Sequence, residues 1–302
     1  MPVQPSRGQR GPRIVSDFTG RAPTAQRMIY GEILRRRREA CGLTEVEAAR
    51  RTGFSTSKIS RLENGLHDFK EADVRRLLSV YQVTDPVDLD GLLEMAQEAN
   101  ERGWWDPWSD VSTKALQIHV SLEDIAQRIR SYENGQLQGL LQTADYTRAL
   151  IRANAPGKSR QEIDRIIELR MLRQQRFTQS SNATLWCVID EVTLVRGYGS
   201  KAVMQRQLDH LLKLADHPRI IFHMVEMASL NMPVQIGTTT VFDFENGRLP
   251  DIVYVERSRG GLYLYDPEQV DEHVMGFDRL LVASMRQRAC IRRIHDHRKR
   301  LG

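Results

Sequence analysis

The sequence predicts a mainly α N-terminal helix-turn-helix domain followed by an α+β domain with an antiparallel sheet. Three observations carry this. Residues 31–65 place two short amphipathic helices around a glycine turn, and positive charge gathers in the same part of the chain. Beyond residue 184, short apolar runs alternate with turns, several of them bearing glycine.

Residues 1–26 are rich in Pro, Gly, Arg and Ser and read as a disordered basic tail. Their composition suits either an arm along a polyanion or an idle tail. The helix-turn-helix head is placed at 27–82. Leu34 belongs to its first helix, and Gly42-Leu43-Thr44 marks the end of that helix and the start of the next. Thr44 and Glu47 have capping-box spacing, in which hydroxyl and carboxylate satisfy amides left unpaired at a helix start. Ala48 and Ala49 let another helix approach, and Gly53 suits a tight turn because it takes positive φ without strain. Ser55 then caps a helix that turns Ile59 and Leu62 inward. Its outward set is Thr56, Ser57, Lys58, Ser60 and Arg61, hydrogen-bonding side chains with two positive charges. A helix around 72–81 closes the head through Val74, Leu77 and Leu78.

Residues 83–111 read as a linker helix and a Trp-rich hinge. Asp85-Pro86 opens the helix, with proline at the first position where its missing amide costs little. Leu89, Leu92, Leu93, Ala96 and Ala99 form its apolar stripe. Trp104, Trp105 and Trp108 suit a ligand cage or a base-stacking surface. Without interleaved basic residues, hydrophobic packing is the preferred reading.

The C-terminal domain is placed at 112–302. Helices are expected from Ser121 through Tyr132, across Tyr146 and Leu150, over 159–179, and from Ser200 to Ala215. The third carries Ile163, Ile166, Ile167, Leu169 and Leu172 on its inner side. Strands are expected at 184–190, 219–226, 237–244, 251–256 and 261–265, and Pro267 opens a final apolar helix.

Charge is unevenly distributed. Residues 1–65 hold thirteen Lys/Arg against six Asp/Glu, a net of +7, and the remainder thirty-one against thirty-three, a net of −2. A basic head on a nearly neutral body is the electrostatic footprint of nucleic-acid binding. The run Arg35–Arg38 must point in several directions, so about half of it is expected to face DNA. Anionic membrane is a weaker partner, because no amphipathic segment joins the charge to exposed aromatic residues. No stretch is both long and apolar enough to cross a bilayer, and the first residues lack the apolar core of an export signal. Cys41, Cys187 and Cys290 are far apart and odd in number. A disulfide framework or zinc site is therefore not expected, and a cytoplasmic location is.

The segment around Arg38, Thr56–Arg61 and Glu63-Asn64-Gly65 resembles the Xre/Cro family of bacterial regulators. The resemblance implies an ion pair between Arg38 and Glu63 that seats the second helix, and base-reading positions at Thr56, Ser57 and Arg61. Arg61 suits guanine, whose O6 and N7 accept paired hydrogen bonds. Glu45 departs from the glutamine common there and is left out of the contacts. The expected DNA-binding set is Thr44, Ser55, Thr56, Ser57, Lys58, Ser60, Arg61 and Asn64. The rest of the chain is similar to the C-terminal domain of unknown function carried by Xre-type regulators of high-GC Gram-positive bacteria. The matching landmarks are Arg102-Gly103-Trp104-Trp105, Gly139-Leu140-Leu141-Gln142-Thr143, Asp190-Glu191, Val253-Tyr254-Val255-Glu256 and Gly260-Gly261-Leu262-Tyr263-Leu264. Relatives are often encoded beside a small protein, so the resemblance implies a small partner protein.

Other residue groups suit either chemistry or simpler structural roles. Asp190-Glu191 is the best acidic pair, but adjacent strand residues point to opposite faces, so a structural role is preferred. His295-Asp296-His297 lacks further metal ligands and reads as a solvated tail. Gly197-Tyr198-Gly199-Ser200-Lys201 lacks phosphate-loop spacing, and Ser200 reads as a helix cap. His210, His217 and His223 read as core or surface histidines. Met227, Leu230, Met232 and Val234 suit a pocket or partner surface and, equally, a loop over its own core. No catalytic residue, metal or cofactor is expected. The expected function is a homodimeric repressor that binds double-stranded DNA without touching membrane. The two alternatives are an antitoxin-like protein that holds a small partner and an enzyme in the C-terminal domain.

Overall fold

The computed structural model describes residues 13–14, 24–179, 183–230, 232–233, 236–244, 249–257 and 261–302. They form two compact units: residues 24–122 with Leu249 make one, and Arg13–Ile14 with the remaining described residues from Glu123 onward make the other. Most of the expected basic tail lies outside the described residues. Its last residues belong to the head, where the Thr24 hydroxyl caps the first helix by accepting from the Arg27 amide at 3.2 Å.

The N-terminal unit is helical: α1 (Ala25–Ala40), α2 (Glu45–Thr52), α3 (Thr56–Glu63), α4 (Glu71–Val80) and α5 (Pro86–Ala99). Tyr30, Leu34, Ala48, Ala49, Ile59, Leu62, Phe69, Val74, Leu77 and Leu78 share one buried core. Leu92, Leu93, Ala96 and Ala99 of α5 lie in the same core, although the sequence places this helix in a linker. Asp85 caps it through the Val87 amide at 2.7 Å, with Pro86 in the first turn. Its apolar stripe is what holds it to the head.

The approach of α1 to α3 is set by glycine. A Cβ on Gly31 would lie 2.6 Å from the Glu63 carbonyl oxygen, closer than packed atoms sit. Gly65, past the end of α3, has φ +68° and would bring a Cβ to 2.8 Å from the Arg27 carbonyl. Both a side chain and the ordinary backbone conformation are excluded there.

Among the described residues the C-terminal unit contains a seven-stranded mixed sheet. Its strands are β1 (Arg13–Ile14), β2 (Arg128–Glu133), β3 (Thr184–Asp190), β4 (Ile220–Val225), β5 (Thr239–Asp243), β6 (Ile252–Glu256) and β7 (Gly261–Leu264), in the order β1-β7-β6-β5-β2-β3-β4. The helices are α6 (Lys114–Ile125), which crosses the unit boundary, α7 (Ala144–Asn154), α8 (Arg160–Gln179), α9 (Val192–Arg196), α10 (Lys201–Leu214), α11 (Pro267–Ala283) and α12 (Gln287–Arg300).

The antiparallel expectation is corrected. β2, β3 and β4 pair in parallel, with Ile129 opposite Leu185 and Cys187 opposite Phe222. The remaining strands are antiparallel. Parallel neighbours need long crossovers. Here α7 and α8 connect β2 to β3, and α9 with α10 connect β3 to β4. A second correction concerns 121–132, where the expected helix ends at Ile125 and β2 begins at Arg128.

The sheet is covered on both sides. Tyr132, Val188 and Val225 pack with Phe277 and Leu280 of α11, while Val241, Val253, Leu262 and Leu264 meet Val270 of the same helix. On the opposite side Ile129, Leu185, Cys187, Phe222, Met224 and Phe242 are buried as well. This double burial brings charged side chains of β2 into the interior. Arg130 pairs with Asp243 of β5 and reaches Asp278 of α11 at 3.4 Å. Glu133, also buried, accepts from the Ser131 hydroxyl at 3.0 Å.

Burial, followed by the charge of Glu256, pushes the Glu133 carboxyl up to about 8, against the opposing pull of Ser131 and Arg170. The same group ionises near 4.5 in an unfolded chain. Between those values the native state keeps a proton that the unfolded state has lost, so stability falls as pH rises through that window. Glu133→Gln, neutral at every pH, removes this contribution. Urea unfolding at about pH 5 and about pH 8 should show the wild type losing more stability than the variant. Equal losses would contradict the buried neutral acid.

Candidate nucleic-acid interface

The site is built on α2, a glycine turn and α3. Thr44 and Glu47 form the capping box: the Thr44 hydroxyl accepts from the Glu47 amide at 3.2 Å, and the Glu47 carboxylate accepts from the Thr44 amide at 2.8 Å. That backbone hydrogen bond holds the Glu47 carboxyl below its usual range. Gly53 ends α2 with φ 70°. Ser55 starts α3 by accepting from the Lys58 amide at 3.1 Å. Ile59 and Leu62 are buried beneath the helix.

One carboxylate fixes α3 against its neighbours. Glu63, with 1% of its side chain exposed, receives a two-pronged contact from Arg38: Nε to Oε1 at 2.7 Å and Nη2 to Oε2 at 2.9 Å. The Arg38 Nη1 donates to the Leu43 carbonyl at 2.6 Å. Paired guanidinium–carboxylate geometry of this kind fixes direction as well as contact. Burial pulls the Arg38 pKa down, but Glu63 outweighs it and leaves the value raised. The pair implied by the family resemblance is therefore present, and it has further members that sequence reading missed. Arg35 donates from Nε to Glu63 Oε2 at 3.4 Å, and the Tyr81 hydroxyl donates to Oε1 at 3.4 Å. Burial and the Glu63 charge push the Tyr81 hydroxyl up, so it remains a donor.

The expected contact set divides by role. Ser55, Thr56, Ser57 and Arg61 are exposed. The Arg61 side chain has no hydrogen-bond or ion-pair partner among the described residues. Ser60 is half-buried beside them. Lys58 turns back: its ammonium lies 2.8 Å from Asp73 of α4 and 3.9 Å from the Phe54 ring centroid. Asn64 caps the end of α3. Its amide donates to the Ser60 carbonyl at 2.5 Å, and its oxygen accepts from Arg35 at 2.8 Å. Thr44 is exposed, with its hydroxyl committed to the capping box.

The arginine run divides as well. Arg35 and Arg38 are interior seats for Glu63. Arg37 pairs with Asp88 of α5 at 2.8 Å, and exposed Arg36 pairs with Glu32 at 3.2 Å. Half of the run is structural. Its uniform composition hid that division, because only three-dimensional placement separates the buried residues from the exposed ones.

Of the other candidates, the structure brings His297 to Glu191 and gives Asp190 separate partners. Asp190 accepts from the Tyr132 hydroxyl at 3.1 Å and the Val192 amide at 3.0 Å. Glu191 instead accepts from the Met227 amide at 3.0 Å and lies 2.6 Å from His297 Nε2 and 3.4 Å from Arg293. Burial raises the Glu191 carboxyl, but these partners outweigh it and hold it low. His297 is thus an interior contact of α12, and the expected solvated tail is corrected to a docked helix. Ser200 caps α10 through the Val203 amide at 3.3 Å. Met232 packs against the core, whereas Met227 and Leu230 are exposed and Val234 lies outside the described residues. Trp104 packs edge-on with Trp105 and Trp108, at ring separations of 5.8 and 6.5 Å.

A helix-turn-helix domain model matches residues 29–92. A domain of unknown function, DUF5753, matches residues 116–296, more than half of the chain. No curated protein and no solved structure matches. The head is therefore a helix-turn-helix domain, the fold in which a second helix is presented to DNA. No helix among the described residues is long and apolar enough to cross a membrane.

Removing one partner of a buried ion pair leaves an uncompensated charge and costs about 3–5 kcal/mol. Glu63→Gln leaves both Arg35 and Arg38 in that position, so unfolding of the head should lose about that much stability. Denaturant titration followed by circular dichroism checks it. A loss below about 1 kcal/mol, the scale of an exposed pair, would contradict the interior role of Glu63.

Proposed function

The chain belongs to the DUF5753 family, and we propose that it works as a sequence-specific transcriptional regulator of the Xre/Cro type. The observation that carries this reading is the outward row of α3. Thr56, Ser57 and Arg61 stand exposed on a helix whose inner side is fastened by a buried ion pair. In helix-turn-helix proteins such a helix enters the major groove, where base edges distinguish all four base pairs. Arg61 supplies the strongest discrimination, and the hydroxyls of Ser55, Thr56 and Ser57 supply shorter contacts to phosphate or base. Lys58 and Asn64 act from beneath by holding the helix.

The regulator is a repressor that occludes promoter DNA from the cytoplasm. It acts as a homodimer, placing two heads about one helical turn apart on a pseudo-palindromic site. The C-terminal domain supplies dimerisation and the response to a small partner protein or effector. Its chemistry is recognition rather than catalysis, since Asp190 and Glu191 spend their oxygens on structural contacts.

Arg61→Ala should cost about 1–3 kcal/mol on the preferred site and narrow its advantage over scrambled DNA, the scale of one paired base contact. Competition binding on matched and scrambled duplexes measures both. If the two affinities fall by the same factor, Arg61 holds phosphate and does not read sequence.

A further inference from the structure

The basic residues of α12 fall into two groups. The inward side carries Cys290, Ile294 and His297, all buried. Beside it Arg293 pairs with Glu226 at 2.5 Å and Arg298 with Asp209 at 2.8 Å. The outward side carries Arg288, Arg292, His295 and Lys299, all exposed. Their spacing of four, three and four residues puts them in one row along the helix. None of the four side chains has a hydrogen-bond or ion-pair partner among the described residues. The one acidic residue of α12, Asp296, is exposed four residues after Arg292 and three before Lys299, and acts on Arg293; it offsets one of the row's positive charges and leaves the row net basic.

Helix stability does not account for this row. Cations are favoured in the last turn, which covers Lys299, but they are disfavoured in the first turn, where Arg288 stands with no acidic neighbour. Like charges four residues apart also repel. The row runs about 16 Å at 1.5 Å per residue, long enough to follow several phosphates of one strand, which recur about every 3.4 Å along the duplex axis. An anionic membrane fits less well. A helix lying on a membrane needs an exposed apolar face, and the apolar side chains Cys290 and Ile294 of α12 are turned into the domain.

We propose that the outer face of α12 is a second nucleic-acid contact, holding the phosphate backbone of DNA without reading its sequence. This rests on the DNA-binding reading of the head and assigns the C-terminal domain a direct part in it. Arg288, Arg292 and Lys299 supply charge, and His295 supplies a ring donor between them.

The test uses the full-length chain, a duplex with the preferred site and a scrambled duplex of equal length, each titrated over a range of salt. The stripe variant combines Arg288→Gln, Arg292→Gln and Lys299→Gln. A control variant with the same charge loss combines Arg152→Gln, Lys201→Gln and Lys213→Gln, all exposed in the same unit. Thermal unfolding confirms that both variants remain folded. Each phosphate contact contributes about 0.9 to the slope of log affinity against log salt, so the stripe variant should flatten that slope by about 2–3. It should weaken both duplexes by the same factor, and the control should keep the wild-type slope. A stripe variant with the slope of the wild type, or no flatter than the control, would overturn the proposal. So would stripe-dependent binding to phosphatidylglycerol vesicles, or to an acidic protein, with the DNA slope unmoved. If the wild type shows no preference between the duplexes, base reading by the head falls, while the slope still decides the role of α12. If it binds neither duplex at any salt, both fall.

Discussion

The carboxylate of Glu63 is buried under the guanidinium groups of Arg38 and Arg35, and the arrangement of the head follows from it. Arg38 comes from α1 and also donates to Leu43, just before α2. The Tyr81 hydroxyl reaches the same carboxylate from beyond the end of α4. Asn64, next in sequence, accepts from Arg35 while closing the last turn of α3. One anionic group thus ties four elements around the end of the helix proposed to read DNA. A directional pair of this kind suits orientation better than bulk stability, since buried ion pairs gain little over apolar packing once their desolvation is counted.

Close approach completes the arrangement. Gly31 and Gly65 remove the side chains that would separate α1 from the end of α3. The buried network then forms between backbones already near each other. Lys58, held by Asp73 and Phe54, fastens the other side of the helix to α4. With these contacts made, the side chains of Thr56, Ser57 and Arg61 have no internal partner among the described residues to compete with an external one. The C-terminal unit uses interior charge in the same way. Arg130 with Asp243 joins β2 to β5, Arg173 with Glu123 joins α8 to α6, and Glu191 with His297 fastens α12.

Much of the head was legible because its signals are local. The Thr44–Glu47 box, Gly53, the Ser55 cap and the Ile59/Leu62 spacing each depend on residues a few positions apart, and the structure contains all of them. Arg38 with Glu63 was accessible through family resemblance alone, and Arg35 and Tyr81 were not visible even so. Long-range pairing was the harder part. β2 reads Arg-Ile-Arg-Ser-Tyr-Glu, a pattern that looks solvated, yet Arg130 and Glu133 are interior, and the partners of Arg130 come from β5 and α11. Losing that strand also hid the parallel half of the sheet, since β2 is where the antiparallel strands meet β3. The outer and inner basic residues of α12 could not be separated before their partners were known.

Under the proposed function the two units have distinct tasks. The head would read sequence through a short, rigidly seated helix, and the C-terminal domain is a scaffold whose last helix displays exposed basic side chains. Selection of binding sites from a randomised duplex pool with the full-length chain tests the central claim most directly. The account predicts that repeated rounds at moderate salt enrich a recurring motif with two related half-sites. A pool that stays random, from folded protein assayed with and without candidate small partner proteins, would contradict it.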